Sequence, residues 1–184
     1  MIKLNLGCGD KILPGYINVD VASERAGKKP DVISDIRKLT FNDNYADEIL
    51  SVHVIEHFWR WEVYEILKEW IRVLKPGGKL ILECPNLQSA CEEFLKSPKT
   101  HSGPGKEGQR TMWVFYGDPK WQDPLMVHRW GYTPYSLGQL MNEVGLINVK
   151  QEPAQYKLKE PRDMRMVGEK NKILFNFSYS FKNL

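Results

Sequence analysis

The sequence predicts an α/β fold: a doubly wound, mostly parallel sheet of seven strands with an antiparallel last strand. Short apolar runs alternate with segments in which apolar residues recur at three- and four-residue steps. Strands that alternate with helical segments in this way indicate parallel crossovers and helices on both faces of the sheet. In addition, two glycines interrupt the chain directly after the first apolar run, which predicts a tight turn at the end of the first strand.

Length and composition favour one domain, covering residues 1–184. A chain of 184 residues with 42% hydrophobic content can bury a core of its own.

The three cysteines, Cys8, Cys84 and Cys91, form no Cys-x-x-Cys pair, which favours a reducing, cytoplasmic location. No segment resembles a signal peptide or a membrane span. The net charge of +3 is not gathered into a basic stripe, which argues against nucleic acid as a partner.

The seven predicted strands are short runs rich in apolar side chains. They cover residues 2–6, 17–21, 31–34, 47–52, 79–84, 147–149 and 173–181. In the last of these runs aromatic and other apolar side chains occupy every second position, which is the period of a strand. We expect it to pair antiparallel at the far side of the sheet.

Apolar periodicity, together with residues typical of helix ends, predicts two helices. Residues 63–74 carry an apolar face, and Pro76 begins the turn that ends this helix. The second helix starts at the N-cap Thr133 and ends before Gly145. The connection between the first two strands is short for a parallel crossover, so its helix is expected to be one turn around 11–13.

The segment 86–130 is expected to be a long, irregular insertion. It is rich in turn residues and in aromatic side chains, among them Trp113, Tyr116 and Trp121. Such insertions often carry function. Two interpretations stay open: a substrate-binding lid, or a second small core beneath the insertion.

Polar residues stand where the predicted strands end, at the edge where doubly wound sheets bind ligands. Gly7 and Gly9 allow a ligand to approach the backbone and are expected to expose amides at a helix N-terminus. Asp20, ending the second strand, can accept hydrogen bonds from ribose hydroxyls. Asp35, after the third, can accept from an exocyclic amine while Ile36 packs on a purine.

Five motifs between residues 2 and 84 occur in a fixed order. They are Leu4-Asn5-Leu6-Gly7-Cys8-Gly9, Asn18-Val19-Asp20, Ser34-Asp35-Ile36, His53-Val54-Ile55-Glu56-His57 and Arg72-Val73-Leu74-Lys75-Pro76-Gly77-Gly78. In this order they resemble the class I S-adenosylmethionine-dependent methyltransferases, and most closely their small type-11-like members. The resemblance implies a Rossmann-like methyltransferase fold with S-adenosylmethionine as the cofactor.

The resemblance also implies roles for particular residues. Gly7 and Gly9 would contact the methionine end of the cofactor. Asp20 would contact the ribose, Asp35 with its neighbour the adenine, and His53 would lie beside the sulfonium. The full set of implied cofactor-binding residues is Asn5, Gly7, Cys8, Gly9, Asp20, Val21, Asp35, Ile36, His53 and Val54.

The resemblance implies methyl transfer by in-line displacement at the sulfonium. Because this donor is already activated, the enzyme mainly needs to align the acceptor with the methyl group. No metal is obligatory, and the sequence leads us to assign no metal site. A hydroxyl or ammonium acceptor must lose a proton, and the candidate proton acceptors are His57, His128 and Tyr116. The fourth strand does not end in the Asn/Asp-Pro-Pro-aromatic signature that resembles amino-group methylases. We therefore expect a small-molecule acceptor, and a flexible protein tail lying in an open groove stays open as an alternative.

Other functions fit parts of the sequence. His53-Val54-Ile55-Glu56-His57 also matches a His-x-x-Glu-His zinc hydrolase pattern, but that interpretation leaves the glycine turn and Asp20 unexplained. Glu56 and His57 could instead be structural. A non-catalytic S-adenosylmethionine-binding sensor or partner subunit stays open, as does an interaction module that docks through its aromatic insertion and binds no cofactor.

Overall fold

Seven strands form one sheet in the computed structural model, which describes residues 1–101, 103, 106–158 and 161–172. The strands are β1 (Lys3–Leu6), β2 (Ile17–Asp20), β3 (Val32–Ile33), β4 (Ala46–Val52), β5 (Leu74–Pro85), β6 (Leu146–Glu152) and β7 (Asp163–Lys170). Their order is β3-β2-β1-β4-β5-β7-β6. β1 to β5 pair in parallel, whereas β7 is antiparallel to both β5 and β6. The predicted fold class, a mostly parallel seven-stranded sheet with an antiparallel last strand, is confirmed.

Among the described residues the last strand in the chain is β7, which is antiparallel to its neighbours and comes before the predicted strand at 173–181. The expected strand at 173–181 lies outside the described residues. β7 was not predicted, because its sequence mixes charged and apolar residues. Two of the charged residues, Asp163 and Arg165, are nevertheless buried, at 2% and 6% exposure.

Five helices lie within the described residues. They are α1 (Val63–Val73), α2 (Leu87–Lys96), α3 (Pro98–His101), α4 (Lys106–Tyr116) and α5 (Pro134–Glu143). The two helices predicted from periodicity correspond to α1 and α5. α2 to α4 correct the expectation of an irregular insertion: Asn86 caps α2, its side-chain oxygen accepting from the backbone amides of Gln88 and Ser89. None of these helices is long and apolar enough to span a membrane.

One face of the sheet is covered by α1 and α5. Their side chains share a single hydrophobic cluster with alternate residues of the strands, and Trp70 of α1 is fully buried in it. On α5, Gly138 allows close packing, because a β carbon there would lie 3.2 Å from Met166 of β7. This cluster is the main core of the protein.

The opposite face is covered by loops. Its cluster is small, Leu50, Val52, Ile81 and Val167, with Leu13, Tyr16 and Tyr156 packed against it. No described residue before Ile55 is helical. The expected one-turn helix at 11–13 and the helices expected on both faces are therefore corrected: in the part of the chain that the structure describes, the helices that pack on the sheet lie on one side.

Two asparagines replace the missing helix in the connection from β1 to β2. The Asn5 side-chain amide donates to the Lys11 carbonyl (2.8 Å) and to Asn18 Oδ1 (3.0 Å). Asn18 Oδ1 also accepts from the Leu13 amide (2.8 Å). These bonds satisfy backbone groups that a helix would otherwise have paired, so a short loop suffices for this crossover.

Candidate functional site

A cavity of about 520 Å³, here called the strand-end cavity, opens at the carboxyl ends of β1, β2 and β4. β1 and β4 are neighbours from which the chain proceeds in opposite directions across the sheet, and ligands of doubly wound folds bind at such a switch point. Of the ten residues implied as cofactor-binding, all but Asn5 line this cavity. Of the three candidate proton acceptors, only His57 lines it.

The glycine turn forms the floor of the strand-end cavity. Gly7 and Gly9 have φ angles of +70° and +52°, a conformation that side chains disfavour. A β carbon on Gly7 would also lie 2.5 Å from Val54 Cγ2. Position 7 therefore requires glycine both for its backbone conformation and for the approach of Val54.

The amides of the turn point into the protein. Gly7 N and Cys8 N both donate to the Val19 carbonyl, at 2.8 and 3.1 Å. Gly9 N donates to Asp20 Oδ2 at 2.8 Å. The expectation that these amides stand exposed at a helix N-terminus was wrong, since no helix follows the turn and each amide has an internal acceptor.

Asp20 connects the second strand to the glycine turn. Besides the bond from Gly9, its Oδ1 accepts from the Ala22 amide at 2.9 Å. Asp20 is 8% exposed and lines the strand-end cavity. A carboxylate has about four acceptor positions, so about two remain for a ligand.

Asp35 and Ile36 line the cavity from the loop after β3, together with the unpredicted Arg37. Arg37 Nε and Nη2 donate to the Asp35 carboxylate at 2.8–3.1 Å, and these bonds hold the pKa of Asp35 below its ordinary value. The Ile36 carbonyl accepts from Trp70 Nε1 at 2.7 Å, which fixes the loop to α1. The close spacing of Asp35 and Arg37 in the sequence could have indicated this ion pair.

Asn5, Cys8 and Val21 differ in their access to the cavity. Asn5 is 2% exposed and lies beneath the glycine turn, bonded to the loop that follows it. Cys8 is buried, and this burial, together with the nearby Asp20 charge, raises the pKa of its thiol to about 11. Its sulfur therefore stays protonated near neutral pH. Val21, by contrast, is exposed at the rim.

His53 lies at the end of β4 in the left-handed conformation, with φ +56°. Its amide donates to the Glu83 carbonyl of β5 (2.8 Å), and its Nε2 lies 2.6 Å from Asp163 Oδ2 of β7. Two neighbouring strands thus hold this strained residue in place at the cavity wall.

The three candidate proton acceptors occupy different environments. His57 Nδ1 lies 3.1 Å from the Val127 carbonyl, and the ring meets His128 edge to face at 5.0 Å. The His128 side chain is 10% exposed, and its burial lowers its pKa, although the Glu56 carboxylate opposes that shift. Tyr116 is 69% exposed and lines a separate groove beside α4.

Most of the outer wall was not predicted from the sequence. This wall contains Arg25, Phe58, Glu62, Trp121, Leu125, Met126 and Arg129. Arg25 Nη2 lies 3.4 Å from Asp123 Oδ2, and its guanidinium lies 5.8 Å from the Trp121 ring centre. These contacts join the loop after β2 to two 3₁₀ turns, Pro119–Trp121 and Pro124–Met126. Two Asp-Pro pairs, which cap these turns, were the available sequence signal.

Comparison with known proteins agrees with this geometry. A family model described as a methyltransferase domain matches residues 14–82, which begin after the glycine turn. No curated protein matches the sequence.

Solved structures with a similar fold cover most of the chain. A SAM-dependent methyltransferase from Archaeoglobus fulgidus is 19% identical, with 91% of this chain and 85% of that chain covered and a TM-score of 0.58. One from Methanosarcina mazei is 16% identical, with 92% of each chain covered and a TM-score of 0.58. The magnesium protoporphyrin IX methyltransferase of Synechocystis PCC 6803, solved with bound SAH, is 10% identical, with 93% and 74% covered and a TM-score of 0.59.

The family match and the fold define the same class. The partial family match and the shared fold support a class I S-adenosylmethionine-dependent methyltransferase with S-adenosylmethionine as its cofactor, in agreement with the predicted class, enzyme type and cofactor.

Proposed function

We propose that the strand-end cavity binds S-adenosylmethionine and that the enzyme transfers its methyl group to a small-molecule acceptor. The observation that carries this proposal is the convergence of Gly7, Asp20 and His53, from the ends of three parallel strands, on one cavity. A volume of about 520 Å³ lies within the usual range of small-molecule sites, about 300–1,000 Å³.

Each part of the cofactor has a matching group in the cavity. The Gly7 turn has no side chain to block the methionine end. The free acceptor positions of Asp20 suit the ribose hydroxyls. Ile36 and the exposed Val21 offer apolar contacts for the adenine, and Asp35 can accept from its amine while keeping its bonds to Arg37. Asn5 acts as a positioning residue beneath the turn.

The transfer itself requires that the acceptor atom, the methyl carbon and the sulfur lie in line. The sulfonium is an activated leaving group, so the enzyme mainly holds the acceptor in place and excludes water. Among the three candidates, His57 is the one that lines the cavity. We therefore assign the contact with the reacting atom of the acceptor to His57, with His128 packed behind it.

The outer wall favours an acceptor with an apolar part and an acidic group. Phe58, Trp121 and Met126 provide apolar surface. Arg25, which also pairs with Asp123, and Arg129 provide two positive charges against the one negative charge of Glu62. Arginines recognise carboxylate and phosphate groups through paired hydrogen bonds. The helical turns around Trp121 would then act as the lid of the site.

Titration calorimetry of the cofactor-stripped protein with S-adenosylmethionine and with S-adenosylhomocysteine tests the proposed site. We expect one site per chain with micromolar affinity. Asp20→Ala should weaken binding at least about tenfold, because hydrogen bonds to a charged group contribute about 1.5–3 kcal/mol each.

Asp118→Ala is a matched control. Asp118, like Asp20, accepts a hydrogen bond from the amide two residues ahead, but it lies outside the strand-end cavity. Its variant should bind the cofactor as the parent does. Undiminished binding by Asp20→Ala, or no heat with either ligand at millimolar concentration, would refute the proposed site. Binding without transfer to any acidic small molecule would favour the non-catalytic alternative.

A further inference from the structure

Three potential metal ligands meet beside the strand-end cavity. One oxygen of Glu56 and one ring nitrogen each of His57 and His128 lie within 4.8 Å of one another. Glu56 and His57 belong to a 3₁₀ turn, Ile55–His57, after β4. The backbone amide of Arg129 donates to the Glu56 carbonyl (2.8 Å) and its side chain to the His57 carbonyl (2.7 Å). These two bonds bring His128 to the turn.

Glu56 is the unusual member of this cluster. It is 2% exposed, and neither of its carboxylate oxygens has a hydrogen-bond partner among the described residues. The nearest basic nitrogens, His53 Nδ1 and His128 Nε2, lie 3.8 and 4.0 Å from Oε1. Buried carboxylates are normally hydrogen-bonded or bound to a metal. Both histidines stand beyond hydrogen-bond distance, so Glu56 lacks the close partner that its burial requires.

Both histidines of the cluster are held in the tautomer that a metal ligand needs. Nδ1 of His57 lies 3.1 Å from the Val127 carbonyl, and Nδ1 of His128 lies 2.9 Å from the Val114 carbonyl. A carbonyl only accepts, so each Nδ1 carries a proton, and in the neutral ring the lone pair then lies on Nε2. Backbone carbonyls commonly orient metal-binding imidazoles in this way.

We propose that Glu56, His57 and His128 bind one divalent transition-metal ion, and that this ion holds an oxygen of the methyl acceptor. Two imidazoles and one carboxylate are the ligand set of ions such as Zn²⁺ and Fe²⁺, and three protein ligands leave coordination positions open. His57 also lines the cavity, so an open position can face the acceptor.

The proposal of a metal site depends only on the cluster of Glu56, His57 and His128. The proposed role of the ion in catalysis rests also on the proposed function. A hydroxyl bound to the ion releases its proton to solvent more readily. The oxygen lone pair then forms the bond to the methyl carbon, the carbon–sulfur bond breaks, and its electron pair stays on sulfur. In this arrangement His57 contacts the acceptor through the ion and is not itself the proton acceptor.

This ligand set differs from the zinc hydrolase pattern considered in the sequence. That pattern uses His53, whose Nε2 is instead paired with Asp163 at 2.6 Å. The third ligand, His128, comes from a distant segment, which spacing within the motif could not reveal.

Cobalt binding tests the site without any assay of methyl transfer. The full chain is stripped with a chelator, desalted and titrated with Co²⁺, and visible absorption and calorimetry are recorded. We expect one ion per chain and a visible band, with affinity reduced at least about tenfold in Glu56→Gln and in His128→Asn. His101→Asn is the control, because His101 lies away from the cluster, next to Thr111 and Glu93, and it should bind Co²⁺ as the parent does.

Circular dichroism and S-adenosylmethionine calorimetry on the same variants show whether they are folded. Loss of Co²⁺ binding with cofactor binding kept within about threefold supports the site. No Co²⁺ binding by the parent, or unchanged binding by folded Glu56→Gln and His128→Asn, overturns it. Failure of cofactor binding alone would count against the proposed function and leave the metal site standing.

Acetohydroxamate, a small oxygen ligand, tests the link to the acceptor. If a coordination position faces the cavity, acetohydroxamate will shift the Co²⁺ band of the parent protein. An unchanged band with Co²⁺ bound would mean a closed site, and would overturn the role of the ion in holding the acceptor.

Discussion

Gly7 and Val54 approach so closely that a β carbon on Gly7 would lie 2.5 Å from Val54 Cγ2. Gly7 also has a φ angle of +70°. We expect Gly7→Ala to lower the free energy of unfolding by about 2–4 kcal/mol, because backbone strain and overpacking add. Urea denaturation followed by circular dichroism measures this loss. Cofactor affinity should fall as well, since the turn forms the cavity floor.

Gly15→Ala separates the two causes. Gly15 has a similar φ angle of +80°, but a β carbon there would meet nothing within 4 Å. Its variant should lose only about 1 kcal/mol, from backbone strain. Adding Val54→Ala to Gly7→Ala should recover part of the loss. Equal losses for the two glycine variants would show that the contact with Val54 is unimportant.

Glu69 of α1 gives a prediction about pH. Its carboxylate accepts from Arg72 Nε and Nη2, both at 2.8 Å, and from the Leu39 amide at 2.9 Å. The bonds from Arg72 lower the pKa of Glu69. A carboxyl whose pKa is lowered by folding stabilises the protein above its unfolded pKa, about 4.3, and that stabilisation is lost as the pH falls through the folded pKa.

We therefore expect the parent to lose stability between about pH 5 and pH 3 more steeply than Glu69→Gln. The variant should be less stable at pH 7, and the two should converge as the pH falls below the folded pKa of Glu69. Urea midpoints across this range measure the difference. Glu65→Gln is the control on the same helix. The Glu65 side chain is 75% exposed and its Oε1 lies 3.6 Å from Lys68 Nζ, so this variant should follow the parent. Parallel curves for the parent and Glu69→Gln would contradict the prediction.

The fold could be predicted wherever apolar pattern alone determines the structure. The parallel strands and α1 have apolar residues at the period of their element, so the sequence sufficed for them. β7 escaped prediction because Asp163 and Arg165 are charged yet buried, and their partners, His53 and Glu83, are distant in the sequence. The local sequence pattern does not indicate such long-range ion pairs.

The residues of the candidate site likewise include some that could be predicted from the sequence and some that could not. Asp20 is the last residue of β2, so the topology of the sheet alone placed it in the cavity. By contrast, Arg25 meets Asp123 and His128 meets Glu56 only through contacts between remote loops. The hydrogen bond from the Arg129 amide to the Glu56 carbonyl brings His128 next to Glu56, and no local motif predicts this contact.

Glu83 and Arg165 form a buried ion pair across β5 and β7, with Nη1 and Oε2 2.9 Å apart and side chains 0% and 7% exposed. Arg165→Met should cost about 3–5 kcal/mol of unfolding free energy, because it leaves the Glu83 charge buried without its partner. Thermal and urea denaturation measure the loss. The double variant Glu83→Gln with Arg165→Met should be more stable than Arg165→Met alone, since the amide oxygen can still accept from the Gln155 and Tyr156 amides.

Lys96→Met is the comparison for an exposed pair. Lys96 Nζ lies 2.7 Å from Glu93 Oε1, but its side chain is 67% exposed, and exposed ion pairs contribute little to stability. Its denaturation midpoint should not change measurably. A loss from Arg165→Met no larger than that from Lys96→Met would mean that water reaches Glu83.

The contact between Arg25 and Asp123 should control how long the cofactor stays bound. Asp123 Oδ2 lies 3.4 Å from Arg25, while Oδ1 caps the 3₁₀ turn by accepting from the Leu125 amide at 2.9 Å. Asp123→Asn keeps an oxygen for this cap and removes the charge. We expect cofactor dissociation, followed by stopped-flow fluorescence, to become up to about fivefold faster, because partly exposed ion pairs contribute about 0–1 kcal/mol.

Salt and a matched variant decide whether charge is the cause. Raising the ionic strength should speed dissociation from the parent and leave Asp123→Asn nearly unchanged, because salt screens exposed charges. Asp118→Asn makes the same substitution at the neighbouring turn, where the aspartate pairs with Lys120 at 3.4 Å, and it should dissociate like the parent. If Asp123→Asn and Asp118→Asn release the cofactor at the same rate, Arg25 does not hold the turns over the cavity.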